Sequence, residues 1–338
     1  MKLLIVTQVV DTEDLGLGFF HTWILKLAQR FESIEVICLK EGKHTLPSNV
    51  HIHSLGKEQG PVHSFRYALR FLKLAWQLRT KYDAVFVHMN QEYILISGLF
   101  WRLFGKSVYL WRNHYDGSFL TDIAAFFSTK VFCTSQHSYT AKYRKTTLMP
   151  VGVDTERFSK SVSRQKNSIL FFSRISPSKR PEMFIDALGL LKERGVTFSA
   201  SVVGSSLPKD EAYHRMLKAK AEMLGLKSVI SFSPGVPNDK APGIFGSHEI
   251  FINTSPSGMF DKMLFEAAAS GCLVVTTSED FKEIAGEQFW CKDVHSLAER
   301  LEFFLGREKD TSLLENLVRT HSLTHLIDEL GKAIIPPS

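Results

Sequence analysis

The stretch Glu249 to Thr277, EIFINTSPSGMFDKMLFEAAASGCLVVTT, limits what this chain can fold into more than any other. An apolar run, Ile250 to Ile252, meets the loop Ser255-Pro256-Ser257-Gly258, and Phe265, Ala268 and Ala269 then fall at helical spacing. Gly271 suits the left-handed residue that stops a helix, and Leu273-Val274-Val275 starts a second buried strand. A helix that begins just after a buried strand aims free backbone N–H groups at the crevice above the sheet, where an anion fits. Glu266 lies little more than one turn inside this helix, and a carboxylate there accepts hydrogen bonds from a vicinal diol such as a ribose offers. The alternative leaves Glu266 a solvated residue of an ordinary crossover helix.

The same alternation runs through the rest of the chain. Lys2 to Thr7 reads as a buried strand, a loop with Gly16 and Gly18 follows, and Phe19 to Phe31 sets Trp23, Leu27 and Phe31 on one helical face before the strand Ile34 to Leu39. Such strand-helix-strand units stack into a parallel sheet with ligands at the strand C-termini. The strand Ala84 to Val87 ends at His88-Met89-Asn90, and Val108 to Trp111 ends at Arg112-Asn113-His114, so either histidine can meet a sugar hydroxyl or serve the fold alone. Val131 to Thr134 gives another strand, with Ser135 as N-cap of a following helix. In the second half, Ser168 to Phe172 leads into Ser173-Arg174-Ile175-Ser176-Pro177-Ser178-Lys179-Arg180-Pro181, and Pro181 opens a helix that Gly195 closes. Arg174 and Lys179 lie five residues apart on a strand-to-helix loop. That spacing lets a planar guanidinium and a compact ammonium straddle a diphosphate; otherwise both are solvated loop charges. Phe198 to Val203 closes at Gly204, and Val229 to Phe232 leads to Gly235-Val236. Helices are expected over Lys209 to Leu224, His295 to Leu305 and Leu314 to Ile335.

At 338 residues the chain suits two domains, each with its own core, and the polar run Ser159 to Asn167 reads as the linker between them. Hydrophobic content of 44% with 22% charged residues belongs to soluble globular proteins. No apolar run reaches the ~18 residues of a membrane span. The opening MKLLIVTQVVDTED is too short in apolar residues for a signal peptide. Cys38, Cys133, Cys272 and Cys291 form neither a metal spacing nor a disulfide framework. They point to a reducing cytoplasmic compartment and make the Asn253-Thr254-Ser255 sequon a chance occurrence. The net charge of +6 favours anionic partners and does not choose among nucleotides, phospholipid surfaces and nucleic acid. Within His63 to Tyr82, Phe65, Leu69, Leu72 and Trp76 share one helical face, while Arg66, Arg70, Lys73, Arg79 and Lys81 add positive charge. The cluster Leu99 to Lys106 has the same character. Two readings stand: the apolar faces lie in the domain core, or they meet the headgroup zone of an anionic bilayer.

Taken together, these segments resemble the retaining glycosyltransferases of the GT-B fold, the family-four group also called glycosyl transferases group 1. That family's signature runs Glu, seven residues, Glu, then Ala and a small residue before Gly. Glu266, Ala267 and Gly271 match it, whereas the first Glu is replaced by Gly258. The pair Asp261-Lys262 resembles a subgroup variant, and Thr147 to Phe158 is similar to the family's Pro-Asn-Gly-Val-Asp segment, with Val151 in place of Asn. The resemblance implies an α/β chain of two Rossmann-like domains with parallel sheets facing a central cleft. It places an acceptor-side domain at 1–158, a nucleotide-sugar domain at 168–313, and a helix crossing back at 314–338. It implies transfer of a sugar from a nucleoside diphosphate to an acceptor hydroxyl with retention. His114, Arg174, Lys179 and Glu266 would be the catalytic residues. Gly16 and Gly18 would lie opposite the donor phosphates, while Gly204 and Val236 match turns near the nucleotide. Ser257, Gly258, Met259, Phe260, Asp261 and Lys262 would line the donor's sugar and phosphates. No Asp-x-Asp motif is present, so neither a metal nor a cofactor beyond the donor is expected. The implied partners are a nucleotide-sugar donor, a glycan or lipid-linked acceptor and an anionic membrane surface touched peripherally, without nucleic acid. The implied location is the cytoplasm, at the inner face of the membrane. The rival from another class is a binding module of the same fold without turnover. An epimerase or a phosphorylase is a second enzyme reading, and no motif for a pyridoxal-bearing lysine supports the phosphorylase.

Overall fold

The computed structural model describes residues 1–60, 62–159, 163–258, 260–307 and 311–335. The chain divides into two compact units, residues 1–150 with 323–335, and Val151–Ser322.

The first unit is built on the strands β1 (Lys2–Val10), β2 (Ser33–Glu41), β3 (Val50–Ser54), β4 (Ala84–His88), β5 (Ser107–Trp111), β6 (Lys130–Cys133) and β7 (Thr146–Leu148). They form one sheet in the order β3-β2-β1-β4-β5-β6-β7, and every pair is parallel. Helices α1 (Phe20–Leu27), α2 (Ser64–Gln77), α3 (Glu92–Leu103) and α4 (Phe119–Phe127) make the crossovers. Side chains alternate across a strand, and here each set finds its own core. Leu3, Ile5, Phe86 and Phe132 pack with Trp23 and Leu27 of α1 on one face. Leu4, Val6, Val85 and Leu110 pack with Phe71 of α2, Trp101 of α3 and Ala124 of α4 on the other. This two-sided burial explains why the strands read as continuous apolar runs.

The second unit carries β8 (Ser168–Phe172), β9 (Ser199–Val203), β10 (Ile230–Ser233), β11 (Ile250–Asn253) and β12 (Leu273–Thr276), ordered β10-β9-β8-β11-β12 and again parallel throughout. Its helices are α5 (Thr155–Phe158), α6 (Pro181–Glu193), α7 (Glu211–Met223), α8 (Ala241–Gly246), α9 (Lys262–Ala269), α10 (Glu279–Ala285), α11 (Val294–Phe304) and α12 (Ser312–Thr320). Asp261 caps α9, and Gly271, at φ 76°, takes the left-handed turn after it. The last helix, α13 (Leu323–Ile334), belongs to the first unit, where Leu326, Ile327 and Leu330 join the α1 side of the core.

Four expectations from the sequence change. The segment after Ser135 forms no α-helix but a short 3-10 turn, Tyr139–Lys142. Its polar groups are drawn to the end of β5, where Ser138 Oγ donates to Asn113 Oδ1 at 3.0 Å and Thr140 Oγ1 to the Arg112 carbonyl at 2.9 Å. Leu314 to Ile335 is not one helix. Between α12 and α13 the His321 carbonyl accepts the N–H groups of Gly152 and Val153, both at 3.0 Å, and so leaves the helical ladder. The units part at Pro150 and Val151, because Val151, Val153 and Phe158 already sit in the second core. The described part of the polar run 159–167 is no free tether, since Arg164 donates to the carbonyls of Ser270 at 2.7 Å and Gly271 at 2.9 Å.

Candidate functional site

At the end of β8 the chain runs through Arg174 to a 3-10 turn, Pro177–Lys179, and then into α6. This loop is held close to the end of β9. The Ile175 N–H bonds the Ser205 carbonyl at 3.1 Å, and a Cβ at Gly204 would stand 1.8 Å from the Ser173 carbonyl oxygen. Only glycine allows that approach. Arg180 takes left-handed backbone angles, φ 48° and ψ 46°, at a cost of about 1 kcal/mol. Hydrogen bonds offset the strain: Arg180 Nε donates to the Thr254 carbonyl and Nη2 to Thr277 Oγ1, both at 2.7 Å, and Thr254 Oγ1 donates to the Lys179 carbonyl at 2.6 Å. The β8 loop is thereby stapled to the ends of β11 and β12.

The staple delivers Lys179 to α9. Its Nζ lies 2.7 Å from Asp261 Oδ2 and 3.0 Å from Ser255 Oγ. The Asp261 carboxylate also takes Asn253 Nδ2 at 3.0 Å and the Met263 N–H at 3.2 Å. Burial alone would raise its pKa, but the Lys179 ammonium and these donors outweigh burial and hold it below the usual aspartate value. One turn on, Glu266 is 6% exposed and receives Lys262 Nζ on Oε1 at 2.6 Å. Arg174 is exposed, and among the described residues it has neither a hydrogen bond nor an ion pair.

The loop before α9 is fixed from α10. The Gly258 N–H, on a residue at φ 89°, donates to buried Asp280 Oδ2 at 2.6 Å, and Ser257 Oγ accepts the Glu279 N–H at 2.8 Å. Phe260 is buried against Phe265, while Met259 lies outside the described residues. Beside Gly204, a pocket of about 270 Å³ opens at the ends of β9 and β10, lined by Ser205, His214, Lys218 and Phe232 among others. Val236 is half-buried against the second core, and the neighbouring Gly235 N–H is held by Ser205 Oγ at 3.0 Å.

Gly16, Gly18 and His114 belong to the first unit and are described there. Gly18 is required by its turn, since a Cβ would come 2.7 Å from the Asp14 carbonyl oxygen, while Gly16 has room for one. Half-buried His114 accepts the Asp116 N–H on Nδ1 at 2.9 Å and stacks on Tyr115. With Nδ1 accepting, the neutral ring carries its proton on Nε2. His88, the other strand-end histidine, is fully enclosed and stacks on Phe20 at 3.9 Å. Burial pushes its pKa down to about 3, and its ring serves the aromatic core.

Residues 166–307 match the family model described as Glycosyl transferases group 1. That match spans most of the second unit, from the start of β8 to the end of α11, and the chain resembles the family over this part. A D-inositol 3-phosphate glycosyltransferase of Paenarthrobacter aurescens (strain TC1) is 29% identical over 153 residues, 41% of this chain and 36% of that protein. The chain thus aligns with little more than a third of that relative's length. The solved structure of Anabaena HepE in complex with UDP and glucose matches at TM-score 0.78 and 18% identity, covering 99% of each chain. A glycosyltransferase from Rickettsia africae ESF-5 matches at TM-score 0.74 and 16% identity over the full length of both. The chain has the GT-B fold. Within the matched residues, the sequence singled out Arg174, Lys179, Asp261 and Glu266 as candidates and did not single out the residues that hold their loops, Arg180, Asn253, Ser255 and Asp280. The one signal for two of these was the polar end of β11, which also forms the sequon; Asn253, Thr254 and Ser255 are all buried.

Proposed function

We propose that the protein is a glycosyltransferase that moves a sugar from a nucleoside diphosphate to a hydroxyl of a glycan or lipid-linked acceptor, with retention at the anomeric carbon. The observation that carries this reading is the Lys179–Asp261 pair at the N-terminus of α9, with Arg174 left unpaired on the same loop as Lys179. Lys179, Arg174 and the α9 N-terminus face the charge that grows on the departing diphosphate, the use to which preorganised cations and dipoles are best suited. Asp261, engaged by Lys179, Asn253 and the Met263 N–H, holds the lysine in place. Glu266 accepts the ribose diol, and the pocket beside Gly204 takes the nucleobase. The bond from the anomeric carbon to the diphosphate oxygen breaks, the bond to the acceptor oxygen forms on the same face, and the acceptor's proton passes to the leaving phosphate. No protein nucleophile is needed. The likeness to HepE, solved with UDP and with UDP-glucose, makes uridine donors the first to test.

The test is a transfer and donor-hydrolysis assay with UDP-, GDP- and ADP-sugars on the wild type and Glu266→Gln. Turnover with at least one donor is expected, and the variant should lose roughly 10²-fold or more. Unchanged turnover in the variant would remove Glu266 from the site. A second reading, a nucleotide-binding module without catalysis, is favoured by Gly258, which leaves no side chain where the family's first Glu stands. Measurable nucleotide binding with no turnover of any donor would select it.

A further inference from the structure

We propose that the outer face of α2, α3 and α4 docks on an anionic lipid bilayer. Helix α2 carries two apolar faces and packs with only one. Phe71 and Ala75 enter the core, whereas Phe65, Leu69, Leu72 and Trp76, spaced as a single helical stripe, face solvent, with Phe65 69% and Trp76 51% exposed. The reading that placed this stripe in the domain core is therefore wrong.

The patch continues across the neighbouring helices. The Trp76 ring lies 5.7 Å from those of both Phe100 and Phe104, and Leu99 and Leu103 project from α3, the latter 76% exposed. On the α4 side, the Arg102 guanidinium sits 5.3 Å over the exposed ring of Phe126. Contiguous apolar surface of this kind marks an interaction site in a protein otherwise folded around closed cores.

Charge decides the occupant. Between Ser64 and Gln77 there is no acid, while Arg66, Arg70 and Lys73 line the stripe and Arg79 stacks on Trp76 at 4.3 Å. Arg70 is partly engaged with the Leu55 carbonyl; Arg66 and Lys73 are exposed. Of the acids around this face, Glu58 lies within electrostatic reach of Arg70 and is taken up by Ser54 Oγ at 2.8 Å, Glu92 lies at the opposite end of α3 from Leu103, and Asp122 of α4 is bound by Lys142 at 2.9 Å. A second copy of this face would oppose cation to cation. An anionic bilayer satisfies both halves of the surface, phosphates meeting Arg and Lys while Trp, Phe and Leu enter the boundary of headgroup and acyl chain. No helix among the described residues is long and apolar enough to cross a membrane, so the contact is peripheral.

The test is flotation of the full chain with vesicles of phosphatidylcholine, with and without phosphatidylglycerol. The wild type should float with the anionic vesicles only, and less as salt rises. Leu69→Glu with Trp76→Glu should cut partitioning roughly ten-fold or more, and Arg66→Gln with Lys73→Gln roughly five-fold for each charge removed. Both double variants should unfold at the wild-type temperature, since the altered side chains are exposed. No flotation of the wild type, or equal flotation of the stripe variant, would overturn the proposal. So would a wild-type dimer that the stripe variant dissociates, which would give the face to a second copy. The donor site takes no part in this test, so its outcome is separate from the transferase reading.

Discussion

His88 and Asp261 meet the same penalty of burial in two ways, His88 by staying neutral and Asp261 by pairing its charge with Lys179. For His88 the folded-state value is about 3 against an ordinary 6.5, so the ring is neutral in the fold while the unfolded chain takes a proton near pH 6.5. The unfolded state then binds more protons, and stability falls as pH drops from about 6.5 toward 3. His88→Phe, which keeps a ring against Phe20, should lose less stability between pH 7 and pH 5 than the wild type in urea titrations; an equal loss would contradict a buried neutral imidazole. Asp261 shifts stability in the same direction but in a more acidic window. Its depressed value adds stability that is fully present above the ordinary carboxylate range and is lost as pH falls from there through the lower folded value. Arg174, Lys179 and Glu266 could be named as candidates from the sequence because charged residues on loops and helices that follow strand ends suggest a ligand. Asn253, Ser255 and Asp280 could not, because their work is to hold other site residues, and that shows only once the loops are brought together.

At the scale of elements, the strand-helix alternation was legible wherever a strand is buried on both faces. The strand β3, with His51 and His53 alternating, and the three-residue β7 lack that signature and were missed. The break between α12 and α13 was hidden because apolar spacing continues through it, while its cause is the Gly152 and Val153 N–H groups, far away in sequence. Gly204 tests the loop geometry. A methyl group there meets the Ser173 carbonyl and forces the β8 and β9 loops apart, so Gly204→Ala should cost about 1–3 kcal/mol. Thermal unfolding should register a fall of several degrees. An unchanged midpoint would show that the two loops do not run so close.

Across the whole molecule, the chain builds two parallel-sheet units and lends its last helix to the first. The residues proposed to grip the diphosphate and ribose all lie in the second unit, so nucleotide binding can be tested without knowing the acceptor. Arg174 is the most telling position, because it is exposed and engages no described residue. Its removal therefore disturbs no packing. Calorimetric titration of UDP, GDP and ADP into the wild type and Arg174→Ala is the direct measurement. Binding of at least one diphosphate, weakened roughly ten-fold or more in the variant with its unfolding temperature unchanged, is the predicted result. Affinity that is the same in both proteins, or no binding of any of the three, would contradict the account.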